Sequence, residues 1–391
     1  MKQFYLAKRK LQFVPAAIIL VALVISASTS AQSITTFDAP GAGTGAAQGT
    51  YATNIDPSGV IVGFSRDANN ARHGFVRSRD GNFTIFDPPG AGTGNFQGTR
   101  AYAMTPGGTV AGFFIDSTNA AHAYVRSSDG VITVIDAPGA GTGPFPEGTF
   151  VTSPLDMNPH GTIAGYYNDS AQVGHGFVRD TDGTITSFDA PGAGTEAGQG
   201  TFSFAISSVG EVTGFYFDAT NASHGFLLDK NGVITSYDVP GSGTGPGQGT
   251  YGGGFTPGGG VMGNYYDSDT VSHGFVMDRR TGTFTTFDAP GAGTGELQGT
   301  YPFGVNAAGV IAGYYVDASN VNHGFVRDRH GAIVEFDVPG AGTDPFQGPL
   351  VYGIAPNGAL TGFYFDADFV VHGFVREGHG GALNLLKLRG H

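Results

Sequence analysis

The strongest constraint on this chain is that it repeats itself. An Asp followed after one residue by Pro returns at Asp38, Asp87, Asp136, Asp189, Asp238, Asp288 and Asp337, at spacings of 49, 49, 53, 49, 50 and 49 residues. A period near 50 belongs to repeat architectures, in which one supersecondary unit is stacked on copies of itself. A second acidic position recurs at Asp67, Asp116, Asp169, Asp218, Asp267, Asp317 and Asp366. Each of these is followed six residues later by a histidine: His73, His122, His175, His224, His273, His323 and His372.

Each unit reads as four short strands. In the first they are Thr50 to Ile55, Val60 to Ser65, His73 to Arg77 and Phe83 to Phe86, parted by Asp56-Pro57-Ser58-Gly59, by a loop over Ala68 to Arg72, and by Arg79-Asp80-Gly81. Alternating β-branched and aromatic residues between Pro-x-Gly and Asp-Gly turns are strand and hairpin signals. The mature sequence has no stretch of 3.6-residue apolar periodicity. The fourth strand leads into a long glycine-rich connection such as Pro89-Gly90-Ala91-Gly92-Thr93-Gly94. That connection must cross three strand spacings, roughly 14 Å, which about ten residues span with ease.

The expectation is therefore an all-β fold: a seven-bladed β-propeller of four-stranded blades, occupying residues 32–391 as a single domain. A β-solenoid is the rival. Fourth-strand segments number eight, from Ile34-Thr35-Thr36-Phe37 to the stretch Ala382 to Leu386, against seven of each other strand. One copy is surplus, so Ile34 to Asp38 or the C-terminal segment is expected to complete the last blade. Topology sets the Asp-x5-His loops and the long connections on one rim, with the tight turns on the opposite face.

Composition narrows the class further. Of 391 residues 67 are Gly, and there is no Cys and no Trp. Disulfide scaffolds and cysteine-bound metals are excluded. The absence of a G-X-Y pattern excludes collagen, and 31 Phe with 16 Tyr argue against disorder. A net charge of −13 leaves no basic footprint for nucleic acid.

Residues 1–31 read as a signal peptide: Lys2, Lys8, Arg9 and Lys10, an apolar run from Phe13 to Ile25, then small residues to Ala31. An uncleaved anchor is the alternative, but the run is short for a span of about 20 residues. Cleavage removes four positive and no negative residues, taking the charge from −13 to −17. The mature protein is expected in the periplasm or outside the cell, with no membrane span and as a monomer.

Units such as Ile55-Asp56-Pro57-Ser58-Gly59-Val60-Ile61-Val62-Gly63-Phe64 followed by His73-Gly74-Phe75-Val76 resemble the HAF-type extracellular repeats, named for a His-Ala-Phe triplet. Here the triplet is His-Gly-Phe six times and His122-Ala123-Tyr124 once. The likeness spans nearly all of residues 33–386. It departs in the Pro-Gly-Ala-Gly-Thr loop and in lacking the Trp that usually follows the triplet. The resemblance implies an exported repeat protein with no assigned catalysis.

An Asp beside a His can orient the ring for metal binding or acid–base chemistry. Sevenfold recurrence points instead to a staple, in which the Asp takes loop N–H groups and the ring N–H of His. No catalytic residue and no metal ligand is assigned. Ca²⁺ on the Asp-rich rim is conceivable, although no D-x-D-x-D-G loop occurs. Asymmetry is the better guide to function. The 53-residue spacing holds one extra residue in Pro144-Phe145-Pro146-Glu147-Gly148, where Glu147 replaces the usual Gln, and three more around Pro154-Leu155-Asp156. Phe145 and Glu147 are the candidate ligand contacts. The expected function is non-catalytic binding of carbohydrate or protein. A structural or adhesive envelope protein, and a propeller glycosidase or lyase, are the alternatives.

Overall fold

The computed structural model describes residues 33–378. The proposed signal peptide and the C-terminal segment at residues 382–386 lie outside the described residues. Among the described residues there are 28 strands and no helix. The first strand, β1, is Ile34–Phe37. The unit that follows comprises β2 (Gly49–Ile55), β3 (Ile61–Arg66), β4 (Arg72–Arg77) and β5 (Phe83–Phe86). These start within one residue of the boundaries read from sequence. β2, β3, β4 and β5 pair antiparallel in that order, as do the corresponding strands of the later units. The fold is thus an all-β array of repeated four-stranded meanders.

Tight turns form where the sequence predicts them. Asp56 Oδ1 accepts from the N–H groups of Ser58 (2.8 Å) and Val60 (2.9 Å), and Gly59 supplies the positive φ of 88° that closes the turn. The invariant glycine of the second strand answers a packing demand. A Cβ on Gly63 would sit 2.1 Å from the Tyr51 carbonyl oxygen and 2.8 Å from the Phe75 ring. The Gly of His-Gly-Phe is explained by its cross-strand partner. Gly74 lies under the Phe86 ring, where a Cβ would meet it at 2.8 Å. In the one unit with Ala at this position, Ala123, the covering residue is Ile135 instead of an aromatic.

The last residue of the triplet is the centre of each core. Phe75, Tyr124, Phe177, Phe226, Phe275, Phe325 and Phe374 are all fully buried. The six Phe sit in apolar clusters that straddle successive units; Phe177, for example, packs in a cluster with Ala103, Ala111 and Ile163. A further cluster joins the ends of the chain: Ala52, Ile55, Ile61 and Phe75 pack with Ala355 and Ala359.

The same chain-end contact appears in the backbone. β1 pairs antiparallel with Val371–Arg376, with Ile34 opposite Arg376 and Phe37 opposite Gly373. The N-terminal segment therefore supplies the fourth strand of the last unit. At the rim each long connection donates to the preceding unit's loop, as in Phe96 N to Asn70 O (3.1 Å) and Phe346 N to Asn320 O (2.7 Å). Ala47 N makes the equivalent bond to Phe369 O (2.7 Å), from the first connection to the last loop.

Candidate functional site

The rim staple is more elaborate than sequence implies. In every unit the loop Asp turns Oδ1 onto its own loop, as Asp67 does to the N–H groups of Asn69 (2.9 Å) and Ala71 (2.8 Å). Its Oδ2 faces His Nε2 at 3.4–3.7 Å. The closer partner of the ring is the other recurring Asp. Nδ1 of His73, His122, His175, His224, His273, His323 and His372 lies 2.7–3.0 Å from a carboxylate oxygen of Asp87, Asp136, Asp189, Asp238, Asp288, Asp337 and Asp38 respectively. The seventh of these bonds, His372 to Asp38, spans 334 residues. It fastens β1 to the last unit.

In four of the units this hydrogen bond raises the affinity of the ring for its proton. The bond to Asp87 is the largest influence on His73, above the opposing effect of burial, and the net pKa lies above the ordinary value. His122, His273 and His323 are raised by the same kind of bond. For Asp116, Asp218 and Asp267 burial pulls upward, but hydrogen bonds from loop N–H groups and neighbouring side chains outweigh it and the pKa is lowered. An aromatic ring of the second strand stacks on the imidazole in six units, Tyr216 on His224 at 5.0 Å among them. The seven His, the seven loop Asp paired with them in sequence, and the seven Asp of the Asp-x-Pro phrase are thus brought together in seven like clusters of three. No group of three or more acidic or His side chains suited to a metal ion occurs among the described residues.

Phe145 and Glu147 fall on the same rim. Glu147 Oε2 accepts from Gly143 N (2.7 Å), the bond that Gln48 Oε1 accepts from Gly45 N (2.9 Å). Gln48 also donates to Ala68 O (3.1 Å), which a carboxylate cannot do. Phe145 is 56% exposed and meets Phe150 edge-on at 5.9 Å.

Phe150 belongs to a feature that sequence reading did not isolate: a belt of aromatic rings carried by the first and second strands. Tyr51 stacks on Phe64 (4.7 Å), Tyr102 on Phe113 (6.1 Å), Phe150 on Tyr166 (5.0 Å) and Phe202 on Phe215 (5.4 Å). Each pair touches the next, and the sequence continues through Tyr251, Tyr266, Tyr301 and Tyr314 to Phe303, Tyr352 and Phe363. Phe363 then returns to Tyr51 at 4.9 Å. Within this belt a cavity of about 290 Å³ is walled by Phe204, Tyr251, Tyr301, Phe303 and Tyr314, with Asn264 as a polar group. The signal was present in the alternation of the first strand, but alternation alone does not say which face meets open space.

The irregular third unit also reaches this centre. Its first strand is cut to Gly148–Phe150, and the segment after it touches the next unit and units farther off. Pro154 O accepts from Asn54 Nδ2 (3.1 Å), Leu155 O accepts from Ile206 N (2.9 Å), and Leu155 packs with Met262 and Ile311. Asp156 is fully buried, accepts from Thr152 N (2.8 Å) and Ser153 N (2.7 Å) through Oδ2, and leaves Oδ1 without a partner. Burial pushes its pKa up to about 8.

No family model and no curated protein sequence matches this chain. Among solved structures it is similar to puromycin hydrolase (12% identity, TM-score 0.47, 83% of this chain and 53% of that one). It is also similar to TolB from Acinetobacter baumannii (12%, 0.42, 79% and 77%) and to the six-bladed β-propeller lectin of Aleuria aurantia (12%, 0.40, 73% and 96%). The chain spans about half the length of puromycin hydrolase. At these identities and TM-scores no activity or ligand is carried over from them.

Proposed function

We propose that this chain is an exported, non-catalytic binding module: a closed seven-bladed β-propeller of the HAF-repeat type that takes carbohydrate, or a protein segment, in its aromatic centre. The observation that carries this reading is the cavity walled by Tyr251, Tyr301, Phe303 and Tyr314, with the Asn264 amide among the rings. Concave sites with apolar walls and a few placed polar groups are the usual form of small-ligand sites. Aromatic faces with a polar edge suit sugar rings, which present C–H groups on one side and hydroxyls around them. Closure is supported by the pairing of β1 with Val371–Arg376 and by the aromatic contacts that return to Tyr51. Export is supported by the order of charged, apolar and small residues over 1–31.

The test is a glycan-array screen of the mature protein, with and without Ca²⁺. A specific hit with no product released is the expected result, and the same signal in both conditions would set Ca²⁺ aside. Hydrolysis or elimination of a bound glycan would replace the binding reading with the enzyme reading. An array with no hit, together with no retention of soluble protein partners, would favour a structural role.

A further inference from the structure

Three arginines meet on the wall between the first and second units, and among the described residues no acidic side chain pairs with them. Arg66 and Arg72 stand directly opposite each other in the β3–β4 register. Arg72 in turn pairs with Gly98, two residues before Arg100. The three converge on Phe96. Arg66 and Arg72 lie over its ring at 4.5 and 5.3 Å, and Arg72 and Arg100 both donate to its carbonyl oxygen, at 2.5 and 3.4 Å. Arg66 gives one further bond, to Ala47 O at 3.0 Å.

This arrangement is costly. Like charges placed directly opposite on a sheet repel, and a buried cation without a counter-charge carries its desolvation unrelieved. Arg66 is only 9% exposed. Burial, then the charges of Arg100 and Arg66, lower the pKa of Arg72 to about 9. Among the described residues none of the three has a carboxylate within salt-bridge distance, although the protein as a whole is strongly acidic. Donors are left over: Arg66 Nε and Arg100 Nη1 are buried with no acceptor. Stacking on Phe96 and Phe113 accounts for the guanidinium planes but not for these unused N–H groups.

The trio is also confined to one place in the repeat. In the next unit the position of Arg66 is Ile115 and that of Arg72 is Ala121, and in the first unit the position of Arg100 is Tyr51. The remaining units are uncharged at all three. Architecture does not require these cations, since every other junction is built without them.

We propose that Arg66, Arg72 and Arg100 form an anion-binding site for an oxyanion group, a sulfate or a carboxylate, entering beside Phe96. Planar guanidinium forks match such groups bidentately. The Tyr51 hydroxyl stands beside the site and donates to Ala47 O at 2.8 Å, the same carbonyl that Arg66 bonds. The site is separate from the wall at Tyr251 and Tyr301 and does not depend on a saccharide binding there.

The experiment is calorimetric titration of the mature protein with sodium sulfate and with sodium glucuronate, against sodium chloride at equal ionic strength. Sulfate and glucuronate arms separate a tetrahedral from a planar preference. We expect saturable binding of one of them and at least ten-fold weaker binding in Arg100→Met and Arg72→Met, whose apolar stems keep the packing on Phe113 and Phe96. If either variant fails to fold, the melting temperature of the wild-type protein serves instead: it should rise with the anion in a saturable way, beyond the chloride control. No heat and no shift beyond chloride, or binding unchanged in both folded variants, would overturn the site.

Discussion

The rim and the centre of this molecule follow opposite rules. On the rim seven His each bridge two Asp, at nearly the same distances, in every unit. Around the centre the corresponding positions diverge. The second residue after the strand-opening glycine is Tyr51, Arg100, Phe150 or Leu350, and Asn264 stands where other units carry an aromatic. Repetition marks what every unit needs to be held to the next. Departure from repetition marks where one unit does something its neighbours do not. A ligand of the kind proposed would meet the cavity once, so its contacts would need no sevenfold copy.

The largest expected effect breaks the repeated side of this contrast. Phe226→Ala removes a fully buried ring from the cluster around Val212 and Ile206. It should cost about 3–5 kcal/mol, measurable by denaturant unfolding. A loss under about 1 kcal/mol would show the unit cores to be interchangeable padding.

A second test concerns the irregular segment. Asp156 keeps its proton in the folded state up to about pH 8. In the unfolded chain it ionises near the ordinary carboxylate value of about 3.9. Between those two values the unfolded state binds fewer protons, so stability falls as pH rises. Asp156→Asn should flatten the decline in melting temperature between pH 5 and pH 8. An unaltered slope would contradict the buried, protonated state.

The staple effects are smaller. His73, His122, His273 and His323 have raised pKa values in the fold. Their contribution is complete below the unfolded value of about 6.5 and is lost as pH rises through the raised folded values. The melting temperature should therefore drop over that range in Asp156→Asn as well, and the drop should shrink when His273 is replaced by Gln. His224→Ala should lower stability by about 0.5–1.5 kcal/mol, the net worth of a hydrogen bond. Ligand binding should be unchanged; lost binding at an unchanged melting temperature would move the function to the rim.

Much of the architecture was legible because it is written in local signals. Asp56-Pro57-Ser58-Gly59 sets its own turn, and alternation fixes the strands on either side. The surplus copy of the fourth strand left either Ile34 to Asp38 or the C-terminal segment to complete the last unit, and it is Ile34 to Phe37 that pairs there. The staple was read only in part. Asp67 lies six residues from His73 and was paired with it, whereas the closer partner, Asp87, lies fourteen residues on and is brought near by the β4–β5 hairpin. The centre was legible only as alternation in the first strand. Tyr51, Arg100 and Phe303 read as ordinary strand residues, and only the pairing of Arg66 with Arg72 and of Arg72 with Gly98 gathers three cations that sequence scatters over thirty-five positions. The segment around Pro154-Leu155-Asp156 stood out by length, but its reach to Asn54 and Ile206 needs the fold.

The claim that the rim holds and the centre binds is tested most directly by comparing Phe303→Ala with His224→Ala for binding of whichever glycan the array selects. Each titration is paired with a melting curve. Phe303 borders the cavity and is only partly buried, so its truncation should weaken binding at least ten-fold while the protein stays folded. His224→Ala should melt lower and bind as well as the wild type. Full binding by folded Phe303→Ala, with loss of binding in His224→Ala, would contradict the account.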